Sequence, residues 1–549
     1  MRSWIRPREA ALGAKMTEIG EVELVFLFLL FFVVAFGLLA RRLGLPYPIV
    51  MVIGGLLLSF LPGIPNLTLN PDLVFMVVLP PLLYAAAWTT SWRDFRYNLA
   101  SILLLAFGLV GFTVLGVALA APRVFDGFDW RLGFVLGAVV APTDAIAATS
   151  IARRVGLPSR IVDILEGESL INDASGLLAL QFATAILVRN EVPGLSSGAL
   201  TFLWLIVGGV GLGLAFAWII DRVERRIDDG PIEITLSILV PYAVYLGADR
   251  IQASGVLAVV SCGLFLSRGS SRFFSPAVRI QAWSVWEALN FVLNGLVFVL
   301  IGLQLPMLRA AIHGYDLSTL LTYGALFSAI LILLRLIWVF PGSAVAWLIR
   351  TRFLHQNESF PSRRSIFVVG WTGMRGVVSL AAALALPAVL ADGSPFPHRD
   401  LIVFLTFCVI FVTLVFQGLT LPPLIRAVGL ARAAGPNCEE QQARRIVIEA
   451  AVSHLANAKG KDREEFAELY EDLTRHYSQR LASLEAGEND DGDGADHARH
   501  VTLELEALRV ERETAIQLRD EGRINDEVLR RLERELDFSE SRITGRDNR

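Results

Sequence analysis

Long apolar runs separated by short polar segments dominate the chain up to about residue 425. Apolar runs of about 18 residues or more are typical of membrane-spanning helices, which need about 20 residues to cross the hydrocarbon core. Counting these runs predicts thirteen spans, at residues 20–40, 47–61, 70–89, 98–121, 131–152, 160–188, 198–220, 231–248, 252–267, 277–304, 317–348, 364–391 and 400–425. The pattern therefore predicts an all-α polytopic membrane protein.

The pattern changes abruptly near Ala431, where Glu, Arg, Ala and Leu replace the apolar runs. We therefore predict three regions: an N-terminal extension at 1–19, a transmembrane domain at 20–430 and a helical cytoplasmic tail at 431–549. Composition agrees with this division, because 54% hydrophobic residues is far too apolar for a soluble protein of 549 residues. In the tail, helices are expected near residues 439–483 and 501–520.

The arginines predict how the chain is oriented in the membrane. If the C-terminus is cytoplasmic, thirteen spans place the N-terminus outside, and the inner loops and their edges carry 17 arginines against 6 for the outer loops. This asymmetry is the one that the positive-inside rule demands. The basic residues before Met16 would lie on the outside unless translation starts at that methionine. We predict a multi-pass protein of the plasma or inner membrane.

Two spans contain helix-breaking residues in their middle. Ala141-Pro-Thr-Asp144 interrupts span five, where proline removes a backbone donor. Gly370-Trp-Thr-Gly-Met-Arg-Gly376 interrupts span twelve with three glycines, which disfavour a regular helix. If spans one to six and eight to thirteen are paired halves, both breaks fall in the fifth member, as in inverted-repeat transporters. The alternative is that Pro and Gly are simply frequent in membrane helices.

Four ionisable side chains lie at membrane depth near these breaks: Asp144, Glu168, Asp173 and Arg375. A charged group at the centre of the bilayer costs about 2.5–3.5 kcal/mol, so it usually faces a partner or a water-filled cavity. Arg375 is always charged and needs a buried carboxylate. We expect Glu168 to be that partner, which leaves Asp173 free to bind and release a proton.

Oxygen ligands are concentrated around these carboxylates. Glu168, Ser169, Asn172 and Asp173 adjoin on one helix face, and the break in span five frees the hydroxyl of Thr143. Hard cations prefer carboxylate, hydroxyl and carbonyl oxygens. The sequence therefore indicates a binding site for a monovalent cation.

Competition at Asp173 gives a mechanism. Desolvation disfavours the charged form of a carboxylate, so this group can hold either a proton or a cation but not both well. A site that alternates between the two membrane faces would then exchange one for the other. A single titrating carboxylate beside the neutral Asn172 suggests one-for-one, electroneutral exchange, although Asp144 could also titrate. The chain lacks a phosphate-binding G-x-x-x-x-G-K-[ST] loop, so the sequence gives no sign of a nucleotide-driven motor.

Other polar residues in the spans have two interpretations. Glu287, Asn290 and Asn294 recur at helical spacing on span ten, where they either line the cavity or bind neighbouring helices. Arg335 in span eleven is expected to be a structural ion-pair partner or a snorkelling group, and not an ion ligand.

Four motifs carry a resemblance to a known family. Leu79-Pro-Pro-Leu-Leu83, Ala141-Pro-Thr-Asp144, Gly167-Glu-Ser-Leu-Ile-Asn-Asp173 and Gly373-Met-Arg-Gly376 occur in this order. With them the chain resembles the sodium/proton exchangers, the electroneutral branch of the monovalent cation:proton antiporters, and the tail is similar to that of the long bacterial members. The likeness extends over most of residues 20–425.

The resemblance implies a homodimer of thirteen-helix protomers, each with a dimerisation domain and a six-helix core that moves like an elevator. It implies that Asp173 binds the ion and the proton, with Asp144 nearby. It assigns the supporting residues and ligands as follows: Thr143 and Ser169 as further sodium ligands, Asn172 as a support of the crossed helices, and Glu168 as the partner of Arg375. One departure stands out, because many members have an acidic residue where this chain has Ala85.

We therefore expect a secondary transporter that exchanges sodium or lithium for protons in pH and salt homeostasis. Potassium/proton exchange, a gated cation channel and a membrane sensor with output through the tail are the alternatives. No enzyme activity, cofactor or nucleic-acid partner is expected beyond the transported ions and the lipid bilayer, and the sequence does not identify a partner for the tail.

Overall fold

The computed structural model describes residues 6–62, 69–189, 194–227, 229–268, 276–312, 315–356, 359–390, 392–431, 438–459, 467–486, 493–521, 523, 529, 532 and 535–540. The chain divides into two compact units, Met1–Ala433 and Ala434–Arg549.

The first unit is built from helices throughout its described length. In chain order they are α1 (Arg6–Leu43), α2 (Tyr47–Leu58), α3 (Pro71–Thr89), α4 (Trp92–Tyr97), α5 (Leu99–Val124), α6 (Trp130–Val140), α7 (Ala145–Arg154), α8 (Ser159–Arg189), α9 (Leu195–Glu224), α10 (Gly230–Arg250), α11 (Gly255–Ser267), α12 (Pro276–Leu303), α13 (Leu305–Ala311), α14 (Leu317–Arg352), α15 (Arg363–Trp371), α16 (Val377–Leu384) and α17 (Arg399–Ala427).

These helices confirm the predicted spans. Nine helices of the described residues are long and apolar enough to cross a membrane, and α6 with α7 forms a further span bent by 43°. The shorter apolar helices α2 and α11 and the interrupted pair α15 and α16 occupy the remaining predicted positions. The predicted all-helical polytopic fold with two broken spans is therefore correct. Of the helices that the structure describes in this unit, only the short α4 and α13 fall between the predicted spans.

Small residues let membrane helices approach closely, which matters because the hydrophobic effect does not drive helices together within the bilayer. A Cβ atom added to Gly55 in α2 would lie 2.3 Å from the carbonyl oxygen of Val299 in α12, and one added to Gly302 would lie 2.4 Å from that of Val52. Membrane helices associate mainly through such packing, because lipid tails are as apolar as the helix surface. The contact fixes α12 firmly against α2.

The second unit is helical as well. Its described part contains α18 (Cys438–Lys459), α19 (Ala467–Ala486) and α20 (Asp493–Asp520), and residues 535–540 are helical too. The single helix predicted near 439–483 is therefore two helices, and residues 460–466 between them lie outside the described residues. Lys459 bonds Glu471 at 2.7 Å, which ties α18 to α19. The helix predicted at 501–520 lies within α20.

Candidate ion-binding site

The breaks in the two interrupted spans lie against each other. The backbone N–H of Asp144 donates to the carbonyl oxygen of Met374 at 2.8 Å. The hydroxyl of Ser379 donates to the carbonyl oxygen of Pro142 at 3.5 Å. Each break leaves backbone groups without their helical partners, and a buried polar group without a partner is costly. The two breaks therefore satisfy part of each other's hydrogen bonding and form one structural unit.

Glycines make this contact possible. A Cβ added to Gly376 would lie 2.4 Å from Oδ2 of Asp144, and one added to Gly373 would lie 2.2 Å from Cδ of Arg335. Any larger residue would displace a charged side chain at either position. The glycines that the sequence marks as helix breakers thus also supply room for Asp144 and Arg335.

The N-terminus of α7 is held by two side chains. Oδ1 of Asp144 accepts from the backbone N–H of Ile146 at 2.8 Å, as an N-cap residue does. Oγ of Ser169 on α8 accepts from the N–H of Ala145 at 3.3 Å. The positive end of the α7 dipole therefore faces two of the four predicted ion-binding residues, and it favours a negative charge on Asp144.

A hydrogen-bonded chain lies behind these residues. Thr143 donates its hydroxyl proton to Oε1 of Glu168 at 3.2 Å, and it accepts from Nδ2 of Asn172 at 2.5 Å. Thr143 and Asn172 thereby connect the break in span five to α8. Asn172 bonds the interrupted segment directly, and its role as a support of the crossed helices stays a prediction.

The partner of Glu168 is Arg335 on α14, and the predicted pairing with Arg375 is wrong. Nη1 of Arg335 bonds Oε1 at 2.5 Å and Nη2 bonds Oε2 at 2.9 Å, with only 2% and 1% of the two side chains exposed. Nη2 also donates to the carbonyl oxygen of Val369 at 3.2 Å. Such a two-point bond is the strongest arrangement that arginine and a carboxylate form. The expectation that Arg335 is a structural ion-pair partner is confirmed.

Arg375 is held by backbone and hydroxyl groups instead. Its backbone N–H donates to the hydroxyl oxygen of Thr413 at 3.0 Å, and Nη1 of its side chain donates to the carbonyl oxygen of Gly373 at 3.3 Å. Nε has no hydrogen-bond partner among the described residues, although the side chain is only 2% exposed. The backbone of Arg375 therefore anchors the break in span twelve to α17, and its side chain forms no ion pair with a carboxylate among the described residues.

A cavity of about 160 Å³ lies beside the two breaks. It is lined by all four predicted ion-binding residues: Asp173, Asp144, Thr143 and Ser169. The three supporting residues Asn172, Glu168 and Arg375 are not among its lining residues. The structure thus brings the four predicted ligands together around one cavity, and Thr143 links them to the supporting residues Glu168 and Asn172 behind it.

Asp173 differs from the other carboxylates near the breaks. It is 7% exposed and lines the cavity together with Asp144. No hydrogen bond or ion pair to its carboxylate occurs in the part of the chain that the structure describes. Its oxygens are free to bind a proton or a cation.

Further polar residues line the cavity, among them Glu166 and Ser379, which were not assigned to it from the sequence, and Asn294, for which the sequence left this open. Glu166 bonds Arg153 at 2.7 Å, and it could have been noticed because it belongs to the same acidic stretch as Glu168. Ser379 on α16 and Asn294 on α12 come from distant helices. For Asn294, its spacing from Glu287 was the available signal.

The side of the cavity formed by α3 is almost entirely apolar. Its lining residues are Leu79, Leu82, Leu83, Ala86 and Thr89. The hydroxyl of Thr89 donates to carbonyl oxygens of its own helix at 3.1 Å. The described part of the chain also contains no group of three or more His, Cys, Asp or Glu that could hold a metal ion.

Two interrupted helices that meet beside an unpaired buried carboxylate, within a polytopic helical fold, define the class of secondary membrane transporters. The fold is similar to that of the sodium proton antiporter MjNhaP1 of Methanocaldococcus jannaschii, with a TM-score of 0.57 and 19% identity over 75% of this chain and 99% of that chain. Residues 27–427 match the family described as sodium/hydrogen exchanger, transmembrane, and the chain belongs to this family.

Relatives extend the likeness beyond the membrane domain. An uncharacterised Na⁺/H⁺ exchanger of Mycobacterium tuberculosis (strain H37Rv) is 32% identical over 96% of this chain and 98% of that protein. A sodium, potassium, lithium and rubidium/H⁺ antiporter of Bacillus pumilus is 33% identical over 85% of this chain and 70% of that protein. The Na⁺/H⁺ antiporter ApNhaP of Aphanothece halophytica is 32% identical over 75% of each chain.

Proposed function

We propose that this protein exchanges sodium or lithium for protons across the cell membrane, one for one, with Asp173 as the shared binding group. The observation that carries the proposal is the unpaired carboxylate of Asp173 in a small cavity beside Thr143, Ser169 and Asp144. The role in pH and salt homeostasis follows from the exchange itself.

The chemistry rests on competition for one carboxylate. A proton on Asp173 removes the charge that attracts a cation, and a bound cation disfavours protonation by direct repulsion. The hydroxyl oxygens of Thr143 and Ser169 each already accept one hydrogen bond and retain a lone pair for the cation. Return of the empty, charged site across the membrane is costly, so transport is coupled to occupancy by one ion or the other.

One-for-one stoichiometry is favoured by the different bonding of the two carboxylates. Asp144 accepts the N–H of Ile146 at the N-terminus of α7, and this bond stabilises its charged form. Asp173 has no such bond. A cycle in which only Asp173 alternates between proton and cation moves one charge in each direction.

Potassium/proton exchange is the second candidate, because the Bacillus pumilus relative is named for potassium and rubidium as well as sodium and lithium. The homodimer, the elevator motion and the outward-facing N-terminus belong to the proposal through the family resemblance and the distribution of arginines. A gated channel is the candidate from another class, and it would need no titrating ligand.

The test uses purified protein in liposomes with an imposed pH gradient and an internal fluorescent pH indicator. Adding sodium or lithium to wild-type protein should collapse the gradient, and clamping the membrane voltage should leave the rate unchanged. Asp173→Asn should abolish the response. Asp163→Asn, which neutralises a carboxylate on the same helix outside the cavity, is the matched control and should exchange like the wild type.

Other outcomes discriminate between the candidates. A response to potassium of the same size would replace sodium selectivity by broad cation exchange. Full activity of Asp173→Asn would overturn the mechanism, and cation currents without proton movement would point to a channel. In the acidic limit, competition also requires the apparent KM for sodium to rise by about tenfold for each unit fall in pH.

A further inference from the structure

A second and larger cavity adjoins the ion site. Its volume is about 760 Å³, and it lies among residues of α1, α3 and α12. Thr89 lines both cavities, and α3 and α12 each contribute lining residues to both. The two cavities therefore share the helices α3 and α12 as walls and meet at Thr89.

A row of polar side chains on α12 runs from one cavity to the other. Glu287, Asn290 and Asn294 are three and four positions apart, a spacing that places them on one helix face. Glu287 and Asn290 line the large cavity, and Asn294 lines the ion cavity. Burial increases along the row, from the exposed Glu287 through the half-buried Asn290 to Asn294, which is 6% exposed.

The inner end of the row has an oriented amide. Nδ2 of Asn294 donates to the carbonyl oxygen of Asn290 at 2.9 Å, so its Oδ1 is the atom left for the cavity. Oδ1 of Asn290 is buried and has no hydrogen-bond partner among the described residues. A buried acceptor without a donor loses free energy unless water or an ion reaches it. Asn294 thus presents oxygen to the ion cavity opposite the mainly apolar lining of α3, and Asn290 presents oxygen to the large cavity.

The outer end of the row carries the negative charge of Glu287, which lies in the large cavity, whose other charged lining residues are positive. Arg41, Arg154 and Arg279 line this cavity, and Glu287 is the carboxylate among its lining residues. Three guanidinium groups raise the potential at the mouth and disfavour a cation there. Glu287 provides a local negative site on the same helix face as the two amides.

We propose that Glu287, Asn290 and Asn294 form the access path of the transported cation on α12, and that the amide oxygen of Asn294 contacts the cation when it is bound at Asp173. This inference rests on the proposed exchange function. It assigns Glu287 to cation capture and Asn294 to binding and to the choice among cations. Asn290 supplies oxygen between the two.

Glu287→Gln tests the outer end in the liposome assay, with exchange rates measured as a function of sodium concentration. At low ionic strength the apparent KM for sodium should rise by about 3–10-fold with the maximal rate kept, because the local potential becomes more positive. The increase should shrink to less than about twofold at high concentrations of an inert salt, because salt screens exposed charges. Asp221→Asn, an acidic residue that lines neither cavity, should leave KM unchanged.

Asn294→Leu tests the inner end and should raise the KM for sodium by about 5–10-fold, because the cation loses an oxygen contact. Asn294→Ser retains an oxygen and should bind more tightly than Asn294→Leu, with a changed preference between lithium, sodium and potassium. Gln281→Leu removes an amide of α12 that lines neither cavity and is the control.

Unchanged KM values and cation preference in Glu287→Gln and Asn294→Ser would overturn the access path while leaving exchange through Asp173 intact. Failure of the proposed function itself is distinguishable, since the wild type would then not exchange or Asp173→Asn would remain active. A low amount of folded Asn294→Leu does not confuse the test, because KM is independent of the amount of protein.

Discussion

Glu168 and Asp173 lie five positions apart on α8, and both are buried, with 1% and 7% of their side-chain surface exposed. Glu168 is bound at two points by Arg335 and also accepts the hydroxyl proton of Thr143. Asp173 faces a cavity and has neither kind of partner within the described residues. The two carboxylates lie on the same helix and are both buried, but they differ in their hydrogen bonds and ion pairs.

This difference in bonding separates the structural role of Glu168 from the proposed transport role of Asp173. A buried carboxylate with a full set of partners gains nothing from binding a proton or a cation, because either would displace an existing bond. A buried carboxylate without partners gains from both, so the two ligands compete for it. The ion pair of Glu168 fixes α8 against α14, and the open site at Asp173 uses the rigid frame that results.

The largest expected effect is on stability when the ion pair is broken. Glu168→Gln leaves the Arg335 guanidinium buried without a carboxylate, which should cost about 3–5 kcal/mol of unfolding free energy. Asp173→Asn removes an unpaired buried charge and should leave the unfolding midpoint unchanged or raise it, although exchange is lost. Thermal unfolding of the purified variants in detergent measures both.

The double variant Glu168→Gln with Arg335→Met is the control for this comparison. It removes both charges, so most of the stability that Glu168→Gln loses should return. If the double variant is as unstable as Glu168→Gln, the uncompensated charge of Arg335 is not the cause of the instability, and the prediction fails.

A smaller effect is expected where the two breaks touch. Gly376→Ala would put a methyl group 2.4 Å from Oδ2 of Asp144, so that carboxylate must move and its cap on Ile146 is strained. Loss of such a cap costs about 1 kcal/mol, and exchange should fall severalfold because Asp144 lines the ion cavity. Gly111→Ala on α5, where nothing lies within 4 Å of the added atom, should behave like the wild type. Equal activity of both variants would contradict the close contact.

The smallest effect is expected for Arg375→Met. Because Arg375 pairs with no carboxylate in the described part of the chain, its removal leaves no buried charge uncompensated, and the lost hydrogen bond to Gly373 contributes only about 1 kcal/mol. Arg335→Met should lower the unfolding free energy several times more than Arg375→Met does. The reverse order of the two arginines would show that Glu168 has Arg375 as its partner in solution.

Much of the fold could be read from the sequence. Hydropathy placed the spans, since a membrane demands about 20 apolar residues for each crossing and leaves little choice of secondary structure. Pro142 and the glycines around Gly373 located both breaks, because the cost of these residues in a helix is local. The clustering of Asp173 with Ser169 followed from helical spacing alone.

Tertiary structure decided the partners. Two arginines were available for Glu168, and local pattern favoured Arg375 because it lies in a break, whereas the packing of α14 against α15 placed Arg335 beside the carboxylate. The orientation of Asn294 toward the ion cavity also depended on how α12 packs. Sequence by itself determined where the chain crosses the membrane and which segments are unwound. Which charges meet was decided by the three-dimensional packing of helices far apart in the chain, because an ion pair in a dry interior forms only where two side chains arrive together.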